Sequence, residues 1–435
     1  MKIAVIGAGI SGNYAAYKLS KNHEVTVFEK RERLGGHSAT IDVDYDGQQI
    51  AVDTGFIVYN ELNYPGLTRL FAELDVETNQ SNMTFAFSSA YNIKSGGLEW
   101  SGDSMDTIFA QRMNLFRPSF WMMLKEILRF NKIANNGDLS TDASESLGNW
   151  LKRHKFSESF KNNYLIPMGA AIWSTPSKAM NDFPAKSFLN FFINHKLTYQ
   201  DRPVWRTVKG GSREYVKKLV AKTSADFKVN SEVTKVTRRD AKVQVYINNE
   251  NVFETFDAVI FAAHTNQTLS LLNDADAQEQ KILSDIKYLP NQVYLHRDRR
   301  LMPKHEKVWS AWNYLHDKDD KDDKDEKNNI IVTVSYWMNR LQNINKKYPL
   351  FVTLNPPEPP ASELTFGYFE YDHPQFDRNA FAAQSNLSSI QGNRNSWFCG
   401  AWAGFGFHED GLQSAQRIVT DIESRNCVET IANAS

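Results

Sequence analysis

Cysteine is scarce in this sequence, and neither sign of charge is in excess. The 435 residues include two cysteines, Cys399 and Cys427, and fifty basic residues against fifty-one acidic ones, a formal net charge of -1. Two distant cysteines build neither a disulfide framework nor a metal site. A near-neutral chain has no general attraction for phosphate polymers. We therefore expect a reducing compartment, no metal site and no nucleic-acid partner.

Long apolar runs are absent as well. No stretch approaches the roughly 18 consecutive apolar residues that a transmembrane helix requires. The apolar start, MKIAVIGAGISG, is interrupted by three glycines and is followed by no small-residue cleavage site, so we expect no secretion signal. We expect a cytoplasmic protein, with peripheral contact at the inner face of the membrane as the open alternative. The length suits two domains with a cleft between them.

The N-terminal segment predicts a β-α-β unit. The apolar run Lys2–Ile6 is typical of a buried strand, residues 11–20 have helical spacing, and residues 24–29 form a second strand-like run. The turn between the first strand and the helix contains three glycines. A turn that binds a pyrophosphate needs glycine, because the tight bend and the close approach of the backbone both exclude side chains.

An acidic residue completes this pattern. Glu29 closes the second strand about 20 residues after the glycines, where an acid accepts hydrogen bonds from an adenosine ribose and disfavours a 2′-phosphate. The helix N-terminus would face the phosphates. The pattern predicts a dinucleotide site; the alternative is a glycine-rich turn that binds nothing. The expected contacts are Gly7, Gly9, Ile10, Ser11, Gly12, Glu29 and Lys30.

The rest of the chain predicts a helical segment followed by a second sheet. Residues 103–194 are mainly helical, most clearly at 113–131 and 146–165. The run 317–327, DKDDKDDKDEK, has mixed charge and no apolar anchor, which is typical of a solvated loop. Strand-like runs return at 228–236, 243–247, 258–263, 292–296, 330–336, 351–354 and 364–371.

Residues 31–37, RERLGGH, follow the acid and resemble a motif of the flavin amine oxidase superfamily. That superfamily, which includes monoamine oxidases, phytoene desaturases and protoporphyrinogen oxidase, has an R-x-G-G-R segment along its cofactor. Arg33, Gly35 and Gly36 match the segment, and His37 stands where the second arginine is usual. The resemblance continues at residues 52–56, 209–212, 256–263 and 397–412.

The resemblance implies FAD as the cofactor and an α/β fold. A Rossmann-type FAD-binding domain, glutathione-reductase-like, would be interleaved with an α+β substrate domain. The FAD-binding domain would take residues 1–80, 205–265 and 395–435, and the substrate domain 81–204 and 266–394. The helix starting near Gly411 would point its positive end at the flavin. The implied cofactor contacts are Arg33, Gly35, Gly36, His37, Gly55, Phe56, Ile57, Val233, Ala262, Gly400, Asp410, Gly411 and Leu412.

Two alternatives concern the C-terminal glycine segment. Gly404, Gly406 and Gly411 would form a second dinucleotide site for NAD(P)H, but their spacing is wrong and no second strand with a terminal acid follows. Cys399 would form a thioether to the flavin, but a small buried strand residue is the favoured interpretation.

A closer resemblance links the chain to a bacterial group of FAD-dependent amine-oxidase-like proteins. These proteins are related to the N-terminal oxidase-like domain of plant cyclopropane fatty acid synthases. Because they often accompany lipid-modifying methyltransferases, the resemblance implies an acyl-lipid substrate, methylated or cyclopropane chains included, and a methyltransferase partner. It is carried by DRPVW at 201–205, NQVYLH at 291–296, SAWNY at 310–314, SYWMNRLQ at 335–342 and FHEDGL at 407–412.

The expected chemistry is oxidation or desaturation of this lipid by hydride transfer to flavin, with a base taking the proton. His408 and Glu409 are the candidate bases, Asp410 is the expected helix cap, and His264 is more typical of a packed histidine. Amine oxidation is one alternative; it needs an aromatic cage and a lysine near the flavin, which the sequence does not establish for Lys209. The other is an FAD- and lipid-binding accessory protein of a lipid methyltransferase, without turnover.

Aromatic residues are dense at 116–124 and 188–193. Such density is typical either of a channel for an apolar substrate or of an ordinary core. The segment 112–129 is also basic, and a basic, aromatic helix is suited to lie on a bilayer.

Overall fold

The computed structural model describes residues 1–89, 97–137, 145–199, 201–248, 253–316 and 332–434. No helix among them combines the length and the apolar composition that crossing a bilayer requires. The strands are β1 (Lys2–Ile6), β2 (Glu24–Phe28), β3 (Thr40–Tyr45), β4 (Gln48–Asp53), β5 (Tyr59–Asn60), β6 (Thr78–Ser81), β7 (Phe85–Ser88), β8 (Glu99–Ser101), β9 (Trp205–Val208), β10 (Asp226–Lys228), β11 (Val233–Arg239), β12 (Lys242–Ile247), β13 (Phe253–Phe256), β14 (Ala258–Phe261), β15 (Lys287–His296), β16 (Trp312–Leu315), β17 (Thr333–Trp337), β18 (Phe351–Leu354), β19 (Thr365–Gln375) and β20 (Ser396–Phe398).

The helices lie between these strands and at the C-terminal end of the described chain. They are α1 (Ile10–Leu19), α2 (Pro65–Glu73), α3 (Met105–Ile108), α4 (Pro118–Asn135), α5 (Leu147–Arg153), α6 (Glu158–Phe160), α7 (Ile166–Trp173), α8 (Ser177–Met180), α9 (Ala185–Asn194), α10 (Arg213–Ala221), α11 (Thr265–Leu271), α12 (Ala277–Ser284), α13 (Met338–Leu341), α14 (Arg378–Asn386) and α15 (His408–Ala434).

A five-stranded parallel sheet has the strand order β10-β2-β1-β14-β20. Its central strands β1 and β14 are buried on both faces, as their continuous apolar sequences predict. Ile3 and Val5 pack with α1, α2, α10 and α15 on one face, while Ala4 and Ile6 pack with β11, β12, α12 and α14 on the other. The strands come from residues 2–28, 226–261 and 396–398, so three separate parts of the chain build one layer.

A seven-stranded mixed sheet has the order β19-β15-β18-β17-β16-β7-β8. Helices α4 to α9 supply an aromatic core beside it, with Phe130, Trp150, Phe160, Phe188 and Phe192 fully buried. The aromatic residues at 188–193 therefore belong mainly to a core, which is one of the two interpretations that the sequence allowed. All seven strands come from residues 85–101 and 287–375. The domain boundaries expected from the sequence stay a prediction.

The predicted secondary structure differs from the observed one mainly at helix breaks. The helix expected at 113–131 is divided: a short 3₁₀ helix covers Arg112–Phe116, and α4 begins at Pro118, which lacks the N–H that a continuous helix would need. The helix expected at 146–165 stops at Arg153, and Lys155 takes a left-handed conformation with φ 54° before α6. The charged run 317–327 lies outside the described residues.

Asp53 joins three parts of the chain at the end of β4. Its carboxylate is fully buried and accepts hydrogen bonds from the Ser212 N–H at 2.9 Å, from Thr40 Oγ1 at 2.6 Å and from Gln342 Nε2 at 2.8 Å. Burial nevertheless raises the pKa of Asp53 to about 6. The carboxylate thus connects β3 and β4 to the start of α10 and to the end of α13.

We expect Asp53→Ala to lower the free energy of unfolding by about 3 kcal/mol, because four donors, the Ser212 hydroxyl included, lose their buried acceptor. Asp42→Ala is the matched control: Asp42 is half exposed and pairs with Arg213 at the surface, so its loss should cost less than about 1 kcal/mol. Urea unfolding monitored by tryptophan fluorescence measures both. Equal losses in the two variants would contradict the role assigned to Asp53.

Candidate cofactor and substrate site

A cavity of about 740 Å³ lies where the two large sheets meet. One part of its lining follows the carboxyl ends of β1, β2 and β14, the place where α/β proteins with parallel sheets bind their ligands. The other part comes from α7, α9, residues 195–199 and 201–205 and the strands β15 to β18, while the lining residues of β19 lie beside the first part. The cavity therefore has a cofactor end and a second end built by other elements.

The glycine turn at the cofactor end leaves room for a phosphate group. A Cβ atom on Gly7 would lie 2.8 Å from the Ala262 carbonyl oxygen, and one on Gly12 would lie 1.9 Å from the Gly7 carbonyl oxygen. A Cβ atom on Gly9 would meet no atom within 4 Å, although Gly9 lines the cavity. Gly7 and Gly12 are thus required by packing, whereas Gly9 leaves a cradle open to a ligand.

Glu29 is fixed beside this turn by backbone donors. Its Oε2 accepts the Ala8 N–H at 3.0 Å, and its Oε1 accepts the Arg31 N–H at 3.0 Å. Each carboxylate oxygen keeps a further lone pair, so the side chain can also accept from a ribose hydroxyl. The turn and this acid together fit the ADP half of FAD.

Most of the residues expected to contact the cofactor line the cavity. They come from the glycine turn, the end of β2, the segment after Gly35 and the loops after β4, β14 and β20. Their contact with FAD itself stays a proposal. These lining residues are Gly7, Gly9, Ile10, Ser11, Glu29, Lys30, Gly36, His37, Gly55, Phe56, Ile57, Val233, Ala262 and Gly400.

Three of the expected contacts support the glycine turn from behind and do not line the cavity. Gly12 packs on Gly7, as described above. Gly35 donates its N–H to the Ala8 carbonyl at 2.8 Å and has φ 110°, a conformation that favours glycine. Arg33 Nη1 donates to the Gly36 carbonyl at 2.9 Å, so this guanidinium braces the neighbouring turn.

The other three belong to α15, which begins at His408 and not near Gly411 as expected. Asp410 accepts the Phe407 N–H at 2.9 Å, so it caps the helix from its third residue. Gly411 packs against α1, where a Cβ atom would lie 2.8 Å from Ile10 Cγ2. Leu412 is buried in the core. All three residues are engaged in capping or packing of α15, and none of them lines the cavity.

The candidate base His408 borders the cavity, but its Nε2 faces two hydroxyl groups. Tyr215 OH lies 2.8 Å and Ser38 Oγ 3.0 Å from this nitrogen, and the ring stacks on Phe56 at 3.9 Å. Burial lowers the pKa of His408 to about 3, so the imidazole is neutral near pH 7. The geometry favours a positioning role over that of a base.

Glu409, the second candidate base, does not line the cavity. Its Oε1 accepts the Gly66 N–H at 2.8 Å and its Oε2 accepts the Leu67 N–H at 2.9 Å. These donors are in the first turn of α2, where backbone N–H groups have no partner within the helix. Glu409 therefore caps α2, and the hypothesis that it acts as a base is corrected.

Cys399 and the segment after it are also structural. Cys399 is fully buried, does not line the cavity, and burial raises the pKa of its thiol to about 12, which agrees with a packed strand residue. Gly400 makes room for Trp402: a Cβ there would lie 2.3 Å from the indole nitrogen. β20 is an edge strand of the same five-stranded parallel sheet that contains β1, and the segment leads from β20 into α15. Within the described chain the segment therefore forms no second dinucleotide-binding unit.

Three histidines meet at the cofactor end, a group that sequence reasoning did not assemble. The ring of His37 lies 6.3 Å from that of His264 and 6.0 Å from that of His373, and it packs at 5.0 Å on Tyr371. Burial lowers the pKa of all three imidazoles, so they are neutral at pH 7. Tyr371 and His373 are on β19, which only the pairing of distant strands brings here.

The second end of the cavity has an apolar wall. We use this name for the lining residues from α7, α9, the loops 195–205 and 405–407 and the strands β15 to β18. Arg202 is the one charged side chain of this wall among the described residues. His195 is neutral there, because burial lowers its pKa to about 4. The apolar members include Met168, Ile172, Trp173, Phe191, Trp205, Val293, Trp312, Tyr336, Leu354, Phe405 and Phe407.

A family model described as flavin containing amine oxidoreductase matches residues 10–349, more than half of the chain. The protein is a member of that family. This membership confirms FAD as the expected cofactor and FAD-dependent oxidoreductase as the expected class.

Curated relatives match this protein over only parts of their length. Prenylcysteine oxidase 1 of Rattus norvegicus is 24% identical over 303 residues, which cover 62% of this chain and 57% of the relative. The chain thus spans little more than half of that protein. A 4,4'-diapophytoene desaturase of Staphylococcus aureus (strain Newman) is 51% identical over 45 residues, 10% of this chain and 9% of the relative.

Solved structures match over nearly the whole chain. A CLA-producing fatty acid isomerase from P. acnes has a TM-score of 0.65 at 14% identity and covers 96% of this chain and 98% of its own. Putrescine oxidase bound to putrescine has a TM-score of 0.66 at 15% identity, with 98% and 99% covered. These likenesses confirm the α/β fold alone. The relation to plant cyclopropane fatty acid synthases stays a prediction.

We expect Gly9→Val to lower the FAD content of the purified protein by about tenfold or more while the protein stays folded. Gly9 has an extended conformation and open space at its Cβ position, so the new side chain occupies the phosphate cradle without a clash. Gly12→Ala is the contrasting variant, since its Cβ would collide with the Gly7 carbonyl and destabilise the fold. The flavin-to-protein absorbance ratio and thermal unfolding separate the two effects; a fully loaded Gly9→Val protein would contradict the placement.

For His408→Gln we expect the pH profile of flavin reduction to keep its wild-type shape. An imidazole with a pKa of about 3 stays neutral between pH 5 and 9, so its removal takes away no titration in that range. Stopped-flow absorbance of the flavin band measures the profile. Loss of one limb in the variant would restore His408 as the base.

Proposed function

We propose that the protein oxidises or desaturates an acyl lipid, with FAD as the hydride acceptor. The observation that carries the proposal is the apolar wall: it is large, mostly aromatic and aliphatic, and has one cation, Arg202. An apolar wall removes a hydrocarbon chain from water at about 25 cal/mol per Å² of surface. The names of the relatives, which include prenylcysteine, diapophytoene and a fatty acid, agree with such a substrate.

Arg202 suits an acyl chain that ends in a carboxylate. Its side chain lines the cavity, is solvent-exposed, and has no ionic partner among the described residues. A guanidinium in this position can donate two hydrogen bonds to a carboxylate while the chain lies along the apolar wall. The cation therefore supports a fatty acid as the substrate class.

The charges support an amine substrate less well. An ammonium group needs an acid or an aromatic cage, and the described carboxylates that line the cavity, Glu29, Glu232, Glu370 and Asp372, lie outside the apolar wall. Lys209 does not line the cavity; it is 62% exposed and pairs with Glu77 at 2.6 Å. Amine oxidation stays the alternative, because the apolar wall contains aromatic residues that could surround an ammonium group and because the family is described as amine oxidoreductase.

Bound FAD would supply a hydride acceptor: a double bond would form when one carbon loses a hydride to the flavin and its neighbour loses a proton to a basic group or to solvent, and the two electrons would pass on to oxygen or another acceptor. The residues of the chain hold the substrate and exclude water. The apolar wall lowers the local dielectric, and neutral His195 and His408 add no charge near the hydrocarbon.

A role without turnover is the remaining candidate. An accessory protein would bind FAD and an acyl lipid and would associate with a lipid methyltransferase, the partner that the resemblance implies. Peripheral contact with the inner face of the membrane would bring either an enzyme or an accessory protein to its lipid.

Anaerobic flavin spectra test the proposal. We expect a fatty acid with an oxidisable chain to bleach the flavin band of the holoprotein in a single turnover, with a product two hydrogens lighter by mass spectrometry. Bleaching by putrescine or cyclohexylamine, and not by any lipid, would establish amine oxidation. A band that no lipid or amine bleaches, in a protein that still binds lipid, would favour the accessory role.

Arg202→Leu tests the carboxylate contact. We expect KM for a fatty acid to rise by about tenfold to a hundredfold, since a charged hydrogen bond is lost, with a small change in kcat. The methyl ester of the same acid should be indifferent to the substitution, because it carries no charge. Lys209→Leu, which removes a cation outside the cavity, is the control. Equal effects on acid and ester would contradict the contact.

A further inference from the structure

Seven large apolar side chains between residues 105 and 128 are exposed to solvent. Isolated exposed apolar residues are ordinary, but a contiguous group marks an interaction site. Trp121 packs against the segment before α4, because its indole N–H donates to the Leu115 carbonyl at 3.0 Å and its ring lies 5.2 Å from that of the buried Phe109. The seven, with exposures of 42% to 78%, are Met105, Met113, Leu115, Phe116, Trp121, Met122 and Leu128. We call this group the α4 surface.

The exposed side of α4 is apolar although the helix already buries another side. Phe120, Met123 and Phe130 point into the core beside the seven-stranded sheet. Trp121 and Leu128 lie seven residues apart on the opposite side of the helix, where polar residues are usual. Packing inside the protein therefore does not account for the apolar residues of this outer side.

The α4 surface is also basic. Residues 105–132 contain five basic and two acidic side chains, a net charge of +3 within a chain whose formal charge is -1. Both acids are already bound: Asp106 accepts from Arg112 at 2.7 Å and from Lys307 at 3.1 Å, and Glu126 is buried beneath Ser157 and Arg129. Lys125 and Lys132 alternate with Trp121 and Leu128 along the exposed side of α4.

The same helix leads to the loop that lines the apolar wall. At the end of α4, Asn135 Oδ1 accepts from Thr198 Oγ1 at 2.6 Å. Thr198 follows Leu197, which lines the cavity, and Arg202 is four residues further along the loop. Apolar residues are exposed beside this loop too, with Leu62 at 54% and Val204 at 58%.

We propose that the α4 surface docks on an anionic phospholipid bilayer. Exposed aromatic and aliphatic side chains enter the boundary between headgroups and acyl chains, and lysines beside them meet the lipid phosphates. Phe116, Trp121 and Leu128 supply the apolar contacts, and Lys125 and Lys132 the charged ones. A second copy of the chain would not match this surface, because it would place one cationic patch against another.

This inference does not depend on the proposed reaction. A protein docked in this way would hold residues 195–199 and 201–205 close to the bilayer whether its ligand is a lipid or an amine. If the proposed function holds as well, docking would let an acyl chain reach the apolar wall directly from the membrane.

Co-sedimentation of the FAD-loaded protein with sucrose-filled vesicles tests the docking. We expect it to pellet with phosphatidylcholine vesicles that contain about one third phosphatidylglycerol and to stay in solution with phosphatidylcholine alone, with weaker binding at high salt. Trp121→Gln with Leu128→Gln should weaken binding by about tenfold or more through lost apolar contact. Lys125→Gln with Lys132→Gln should weaken it by about tenfold and reduce its salt dependence.

Matched double variants on other surfaces serve as controls. Val229→Gln with Phe253→Gln removes two exposed apolar side chains, and Lys217→Gln with Lys222→Gln removes one exposed lysine of α10 and the exposed lysine that follows the helix; both double variants should bind vesicles as the wild type does. Flavin absorbance and thermal unfolding confirm that every variant is folded. The proposal is overturned if the wild type ignores anionic vesicles, or if the α4 variants bind as tightly as the controls. It is also overturned if light scattering shows a dimer that only the α4 variants dissociate.

Discussion

The rest of the structure depends on the close approach of backbone to backbone where β1 turns into α1. At Gly7 and Gly12 a single added methyl group would overlap a carbonyl oxygen, and Gly411 brings α15 equally close to Ile10. Ser11 Oγ secures this contact by donating to the Gly411 carbonyl at 2.8 Å. Because the turn is so tight, α1 begins at the cavity, and the first and last described helices share one core. The position of the cofactor end follows from that packing.

Charge is distributed in three zones with different physical tasks. The cofactor end presents backbone N–H groups, neutral histidines and charged side chains of both signs, so it offers donors and acceptors to a polar dinucleotide. The apolar wall offers one cation at the edge of a dry surface, which suits an amphipathic ligand better than a fully charged one. The α4 surface combines cations with exposed apolar groups outside the cavity. A near-zero net charge for the whole chain hides this arrangement, since opposite excesses cancel in the sum.

The segment 407–412 shows how a motif that appears catalytic serves to hold helices together. His408, Glu409 and Asp410 are consecutive in the sequence and form the first turn of α15. Because they are on a helix, their side chains point in different directions. Glu409 caps α2, Asp410 caps its own helix, and His408 packs between Phe56 and two hydroxyls. Successive residues of a helix diverge by about 100°, so adjacency in the sequence does not mean adjacency at a site.

The sequence by itself determined the β-α-β unit, the glycine turn, the acid that follows β2 and the family, because these depend on local backbone geometry and on residues close together in the chain. It also indicated the second sheet from its strand-like runs. Only the tertiary structure decided the rest. The histidine group forms only when β19 pairs with β15. The apolar wall forms only where α7, α9 and the seven-stranded sheet meet, and the same packing places Arg202 in the lining of the cavity. Burial and direction of a side chain are set by long-range packing, which no local pattern contains.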